Sequence, residues 1–554
     1  MEFFKFELRY WLRGFMVYIF FGIVALLFGF ASGSDNVQVG RAIGNTYRNA
    51  PYVIMEYYVG AGLLAALMVS AIFDSAASRD FATKFSDVLF SKPIGKWNYL
   101  LGRFFAATLI ALIPSLGISV GMIVAGCMPN IDAERWGPFR WDAHAFGMLL
   151  FALPNTLLVG SVVFAIAAWT RNTMYSFLGV LLLMVAYVVS QAVLSDISHE
   201  FLAMMIDPLG GTPYDVLTKY WTVDQRNHWC LPMSGLLILN RVIWLSVALA
   251  VFAIASWRFS FETGRVRGKR AVDTAPVQPL AAPTELGDWP KATPKTSWIA
   301  QLMSCTRLDV IAVMRTPAFI VILLAAMLNT SVSMFMMATE GYGLSSFPVT
   351  YKMVDLIRGS LFGFLVPVII YFVGVVVWRD RDCKIQEIVG AAPVPNSVFI
   401  VSRLVSLLTV VMTILVVTIV LSCSVQLYYG FSRLQPRVYA FELIVLEALR
   451  FGFHIVLAML AHTFSPNKYV GYFAFIVLLI LNAFVWQWMR IDSLLVRFGR
   501  LPTYVYSDMF GFAPYTSGLI AYAIYWLACA ALVLWICSIA LHRGVPKSDR
   551  KSVV

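Results

Sequence analysis

Arg79, Asp80, Lys84, Pro93 and Arg103 return as Arg379, Asp380, Lys384, Pro393 and Arg403, each 300 positions on, and Asp87 is answered by Glu387. Acids and bases so spaced form ion pairs and recognition surfaces. Asp80 stands four residues before Lys84, the favourable order for an acid and a base on one helix, and Asp380 and Lys384 repeat it. In each copy an apolar stretch long enough to cross a bilayer precedes the cluster and another follows it. The cluster is therefore expected on a short loop between two membrane spans. A loop duplicated at matched positions has the pattern of a docking surface made twice.

A second set of ionisable groups falls inside an apolar run. Glu447, Arg450 and His454, with His462 beyond, share about a third of the circumference of one predicted helix. A charge at the bilayer centre costs roughly 2.5–3.5 kcal/mol on insertion scales, so these side chains are expected to face protein or water inside a bundle. They fit a substrate path or a proton-sensitive gate. They equally fit a structural Glu447–Arg450 pair, three residues apart, beside a packed histidine. The structural pair is preferred, because the first half carries Leu150, Pro154 and Asn155 near the equivalent depth.

Other chemistry is missing from the pattern. No G-x-x-x-x-G-K-[ST] phosphate loop occurs: Gly264 to Lys269 reads GRVRGK, with its glycines only four apart and Arg following. His199-Glu200 opens like a zinc-binding H-E-x-x-H, yet Ala203 stands where the second His belongs. The cysteines (Cys127, Cys230, Cys305, Cys383, Cys423, Cys529, Cys537) have neither metal-site spacing nor the density of a disulfide scaffold, and are expected to pack. No catalytic residue, metal or cofactor is expected in this chain.

The elements that position these groups must be membrane spans. The 554 residues are 60% hydrophobic and 13% charged, with a mean hydropathy of +0.77, whereas an average soluble chain is about a quarter charged. Apolar runs near the roughly 20 residues that cross the hydrocarbon begin around Phe15, Tyr52, Phe104, Ala145, Met174 and Gly235. They begin again around Ala318, Gly359, Leu404, Phe441, Tyr469 and Leu519. The pattern predicts an all-α membrane protein of about twelve transmembrane helices in two tandem six-helix repeats, 1–261 and 297–554. The first run is not read as a cleaved signal, because Glu7, Arg13 and the span after them reappear as Asp309, Arg315 and a span. Between the halves, 262–296 opens with Arg265, Arg267, Lys269 and Arg270 and continues through Pro276, Pro279, Pro283, Pro290 and Pro294. It is too Pro-rich and polar to pack, and is expected to be a cytoplasmic linker whose basic run lies beside anionic headgroups.

Basic residues assign the sides. With the N-terminus inside, Lys5, Arg9, Arg13, both duplicated loops, Arg258 to Arg315 and the tail from Arg543 to Lys551 are all cytoplasmic. The net +12 is then a topology signal. No nucleic-acid partner is expected, because the charge is spread over loops without a compact aromatic-basic surface. The exported loops carry acids: Asp132, Glu134, Asp196, Glu200, Asp207, Asp215 and Asp224. Two exported segments, 196–234 and 489–517, are long for simple connections and expected to fold. Their apolar residues, including Leu202, Met204, Met205, Tyr220 and Trp221, also suit an interfacial anchor.

On a helix from Arg79 to Phe90, Asp80, Lys84 and Asp87 share one face, and Phe81, Phe85, Val88 and Leu89 the other. Pro93 ends it. The second copy sets Asp380, Lys384 and Glu387 against Ile385, Ile388 and Val389. Taken alone this describes an interfacial helix, but its duplication favours docking, with Asp80 and Asp380 expected to be replaceable without loss of the fold.

The basic elbow before the first span, "SKPIGKWNYLLGRF" and "VWRDRDCKIQEIVGAAPVPNSVFIVSRL" resemble the permeases of type-2 ATP-binding-cassette (ABC) transporters, across both halves. "DPLGGTPYDVLTKYWTVDQRNHWCLPMSGLLILNRVIWL", "NKYVGYF" and "YSDMFGF" resemble a bacterial branch in which a twelve-span permease is often fused to a zinc aminopeptidase; here the chain stops at Val554. The resemblance implies an inner-membrane permease of the exporting kind, with both termini cytoplasmic. It implies two copies of a separate ATPase subunit, carrying the ATP and Mg, docked on coupling helices at the duplicated loops. It also implies exported helices that dip toward the outer leaflet and close the exit. A hydrophobic, peptidic or lipid-like cargo suits the apolar interior. The rivals are a twelve-span secondary transporter, against which the absence of a D-R-x-G-R type motif counts, and a membrane scaffold for a separately encoded peptidase.

Overall fold

The structure is a computed structural model, and it describes residues 2–34, 45–83, 85–128, 133–171, 176, 179–180, 183, 186–187, 190, 200–230, 235–261, 297–339, 347–383 and 385–541. Lys84, Lys384, His199, the 262–296 segment and most of the run from Met174 lie outside them.

Long apolar runs with no water to satisfy their backbone must close their hydrogen bonds locally, and helices do so. The first such elements are α1 (Glu2–Arg13), α2 (Met16–Gly33), α3 (Pro51–Ala82), α4 (Ser86–Phe90), α5 (Lys96–Gly126) and α6 (Trp141–Thr170). Three short helices follow, α7 (Glu200–Ile206), α8 (Gly211–Thr218) and α9 (Val223–His228), and then α10 (Gly235–Arg258). The second set is α11 (Trp298–Met314), α12 (Pro317–Thr339), α13 (Thr350–Asp382), α14 (Gln386–Ala391), α15 (Asn396–Tyr428), α16 (Pro436–Phe464), α17 (Lys468–Trp488) and α18 (Ala513–Ala540). Among the described residues eight helices are long and apolar enough to cross a bilayer, or ten if α3 and α13, each bent by 49°, count as one span apiece. The run from Tyr469 falls in α17, which is apolar but shorter. The chain is an all-α, multi-pass membrane protein.

Each set opens with a surface helix turned into a span. α1 buries Glu7 and Trp11 and lies across the start of α5, where a Cβ on Gly102 would meet Phe3 Cβ at 3.0 Å. α11 begins at Ser297, whose Oγ accepts the Ala300 N–H at 3.2 Å. It hands over to α12 through Thr316, whose hydroxyl accepts the Phe319 N–H at 3.2 Å ahead of Pro317, a cap followed by proline at the first helical position.

Small residues bring α2 and α5 together. A Cβ on Gly121 would stand 2.3 Å from the Ala25 carbonyl oxygen, and one on Gly117 2.7 Å from that of Phe21. Backbones approach this closely only where no side chain intervenes. Buried apolar residues form two large clusters. One runs from Trp11 to Phe259 with Ile480 added, the other from Val313 to Cys537.

The two sets meet along α2 and α17. Phe20 packs edge-on to Phe473 with centroids 4.5 Å apart, and Phe30 stacks on Phe484 at 6.3 Å. Contacts in the same order along both helices mean that α2 and α17 run parallel. α2 starts beside α1, whose Glu7 pairs with Arg79 at the end of α3. α17 starts with Lys468, paired at 3.0 Å with Asp382 at the end of α13. α4 and α14 therefore lie at the same end of the molecule.

Candidate functional site

The duplicated charges sit where α3 and α13 stop. Arg79 pairs with Glu7, which also accepts the Trp11 indole N–H at 3.1 Å. Asp80 points inward: its Oδ2 takes Arg103 Nη2 at 2.6 Å and the Tyr99 hydroxyl at 3.0 Å, while Arg103 Nη1 donates to the Ala76 carbonyl at 2.7 Å. In the second copy Arg379 pairs with Asp309 at 2.5 Å, and Asp380 takes Arg403 at 3.1 Å. Burial pushes the Asp309 carboxyl above its ordinary range, and Arg379 and Arg403 pull it back only in part.

The backbone repeats bond for bond. The Thr83 and Cys383 N–H groups donate to the Arg79 and Arg379 carbonyls at 2.9 Å. Phe85 and Ile385 donate to Asp80 and Asp380 at 2.9 and 3.0 Å. These bonds satisfy carbonyls that a helix end leaves open. Leu89 and Val389 then close one short turn on Phe85 and Ile385, each at 3.0 Å. Across Pro93 the Ile94 N–H reaches the Lys92 carbonyl at 2.8 Å, and across Pro393 Val394 reaches Ala392 at 2.8 Å. An i→i+2 bond of this kind is an inverse γ-turn, whose central φ is close to the value a proline ring imposes.

This corrects the expectation of one amphipathic helix from Arg79 to Phe90 with Asp80 facing solvent. The long helix ends at Ala82, and a separate five-residue helix follows. Asp80 and Asp380 are buried, because Arg103 and Arg403, 23 residues on, hold them from the next helix. Removing either carboxylate would strand a buried guanidinium, so these positions hold the turn and are not replaceable at will. Pro93 and Pro393 stand in the turn beyond the short helix and do not end it. Asp87 and Glu387 are exposed as expected. Beside them stand bare apolar side chains, Val88 at 60% and Ile388 at 75% exposure, with Phe85 and Ile385 next to each.

The second candidate set is brought together and enlarged. Glu447 pairs with Arg450 at 3.3 Å, and His454 Nδ1 lies 2.8 Å from the Arg450 carbonyl. The main partner of Glu447, however, is Arg358 of α13, whose Nε is 3.0 Å away. Arg358 also reaches Glu442 at 3.4 Å and Asp355 at 3.5 Å, and Tyr504 donates its hydroxyl to Glu442 at 3.3 Å. α16 is π-helical from Ala440 to Glu447, and the i→i+5 period of that winding sets Glu442 and Glu447 on one side. Arg358, isolated in the apolar run after Asp355, was the sequence signal for this network. Glu442 was masked by the α-helical period assumed for its segment.

His462 stands apart from this set. It is buried, and its Nδ1 accepts the Trp378 indole N–H at 3.0 Å. α6 has a π-helical stretch too, Met148–Ala152. Just beyond it Asn155 Oδ1 accepts from Arg241 Nη1 at 3.0 Å, and Arg241 Nη1 also reaches the Leu209 carbonyl at 3.1 Å. Asp207 ties the same loop by accepting the Leu209 and Thr212 N–H groups at 2.7 and 2.6 Å. Gly210, at φ +84°, leaves room for the Arg241 guanidinium, which would lie 2.4 Å from a Cβ there. Residues 200–230, within the segment expected to be exported, thus fold as α7 to α9, with the buried Arg241 guanidinium set against their loop.

Among the described residues no group of three metal-ligating side chains gathers. No protein-family model and no curated protein matches this chain.

Proposed function

We propose that this chain is the permease subunit of an ABC transporter of the type-2 kind. About twelve spans form two tandem six-helix halves, 1–261 and 297–554, joined by the cytoplasmic linker 262–296. The observation that carries the proposal is the pair of matching turns, bond for bond alike, at one end of the molecule. Each presents a short helix with an exposed apolar residue and an acid, Val88 with Asp87 and Ile388 with Glu387. Buried ion pairs fix each turn to the ends of two long helices, so a push on α4 or α14 is delivered to the bundle. A rigid knob bonded to two spans is what a force-bearing contact requires.

In this proposal the chain lies in the bacterial inner membrane with both termini inside, and two copies of a cytoplasmic ATPase supply the ATP and Mg chemistry. The chain itself is not an enzyme. Closure of the ATPases rocks the two halves about their α2–α17 contact, exporting a hydrophobic, peptidic or lipid-like substrate. The Glu447, Arg450 and His454 set serves as structure. A twelve-span secondary transporter would leave both turns without a partner, and a scaffold for a zinc aminopeptidase would need no ATPase.

The test is co-purification with a cassette ATPase from the source cells, before and after Val88→Asp and Ile388→Asp together. The expected result is an ATPase that accompanies the unmodified chain and is lost from the double variant, whose thermal stability is unchanged because both side chains are exposed. An unmodified chain that carries no ATPase overturns the proposal.

A further inference from the structure

A cavity of about 350 Å³ opens where α3 begins, α5 ends and α6 begins, at the opposite end of the bundle from α4. Its walls are apolar and aromatic: Ile54, Met122, Ile123, Trp136, Phe139 and Trp141. The cavity is more than twice the ~150 Å³ of an apolar cavity that takes up benzene. It falls in the size range of ligand pockets, roughly 300–1,000 Å³.

The polar groups at its rim are already engaged. Asn49 clamps Gly137, donating to its carbonyl at 2.6 Å and accepting its N–H at 2.7 Å. Arg140 is held by Asp142 at 2.5 Å and donates to the His228 carbonyl at 2.9 Å. His144 Nδ1 lies 2.9 Å from Ser119 Oγ, itself 2.9 Å from the Tyr58 hydroxyl. Trp136 is seated on bare backbone, since a Cβ on Gly126 would meet its indole at 2.8 Å. Among the described residues no unpaired charge lines the space. Among these residues a charged ligand would find no free partner to compensate its desolvation, whereas an apolar one meets matching walls.

The way in is sideways. Ile123 lines the cavity and is also exposed on the outer face of α5, in line with Leu116, Val120 and Val124 at helical spacing. On a membrane span that stripe faces lipid tails. The lipid-facing surface and the cavity are therefore one continuous apolar path.

We propose that this cavity holds one alkyl chain of a membrane amphiphile, admitted laterally past Ile123. The site does not depend on an ATPase partner and stands or falls separately from it. Two sources supply such a chain, a bilayer phospholipid and a free fatty acid, and two probes separate them. The full chain in lipid nanodiscs is photolabelled with palmitic acid bearing a diazirine, or with phosphatidylethanolamine bearing the same group on one chain. Labelled peptides are mapped by mass spectrometry against α18, whose outward face provides a lipid-exposed reference.

Saturable labelling of the segment from Ser119 to Trp141 above that reference is expected with at least one probe, competed by unlabelled palmitate or phospholipid. Ile123→Trp, which blocks the side opening, should reduce that labelling to the α18 level and leave α18 unchanged. Labelling by the fatty acid alone assigns a free chain, and labelling by the phospholipid alone assigns a bilayer lipid. Labelling that never exceeds the reference, or that rises without saturation in the unmodified protein, overturns the proposal whether or not the variant folds.

Discussion

Glu447 has two arginine neighbours, and they should differ in what their loss does. Arg358 is 26% exposed and lies against two carboxylates that are nearly buried, whereas Arg450 is 38% exposed and lies against one. Truncating Arg358 leaves Glu442 with only the Tyr504 hydroxyl and Glu447 with only the more exposed Arg450. Arg358→Leu is expected to cost about 3 kcal/mol, at the low end of the range for breaking a buried pair because the guanidinium keeps some water. Arg450→Leu should cost less than about 1 kcal/mol, as a surface pair does. Thermal unfolding in nanodiscs compares them, and an Arg450 variant as damaged as the Arg358 variant would refute the assignment. Helical spacing made the Glu447–Arg450 pair legible. It could not show Arg358, which comes from another helix 89 residues earlier. The same limit hid the inward turn of Asp80, where a local partner at Lys84 was visible and the distant Arg103 was not.

Elements were more legible than their joints. Hydropathy located the long helices, because crossing a bilayer demands an apolar run of fixed length. The break after Ala82 was not legible, because the apolar period continues through it and the Arg103 bond that holds Asp80 near the helix end comes from the next helix. The tight α2–α5 contact was equally hidden, since glycine in a span marks either close packing or nothing. Gly121 and Gly22 divide on that point. A Cβ on Gly121 would fall 2.3 Å from the backbone oxygen of Ala25, which cannot move aside without shifting α2, whereas a Cβ on Gly22 would meet nothing within 4 Å. Gly121→Ala should destabilise by about 1–3 kcal/mol through overpacking. Gly22→Ala should be neutral or stabilising by up to about 1 kcal/mol, the helix-propensity gain. Equal melting temperatures for the two variants would show that α2 and α5 are not in backbone contact.

At the scale of the whole molecule, the order Phe20–Phe473 and Phe30–Phe484 puts two alike turns at one end of one chain. The tandem spacing of 300 residues foretold two copies. The distribution of basic residues put both on one side, and the parallel packing of α2 on α17 sets them at one end of the molecule. If each turn is a separate seat, one chain should bind two ATPase subunits without a second copy of itself, and the seats should be lost one at a time. Val88→Asp removes the exposed apolar contact of the first turn and touches none of the bonds that hold it. The native mass of the detergent-solubilised complex should therefore report one chain with two ATPases for the unmodified protein, and one chain with one ATPase for Val88→Asp. The measurement is made without ATP, so that no nucleotide-dependent association between ATPases can hold a subunit whose seat is gone. A complex with two copies of this chain would show that the tandem halves do not complete a membrane domain. Loss of both ATPases from the single variant in the nucleotide-free state would show that the two turns form one composite surface instead of two seats.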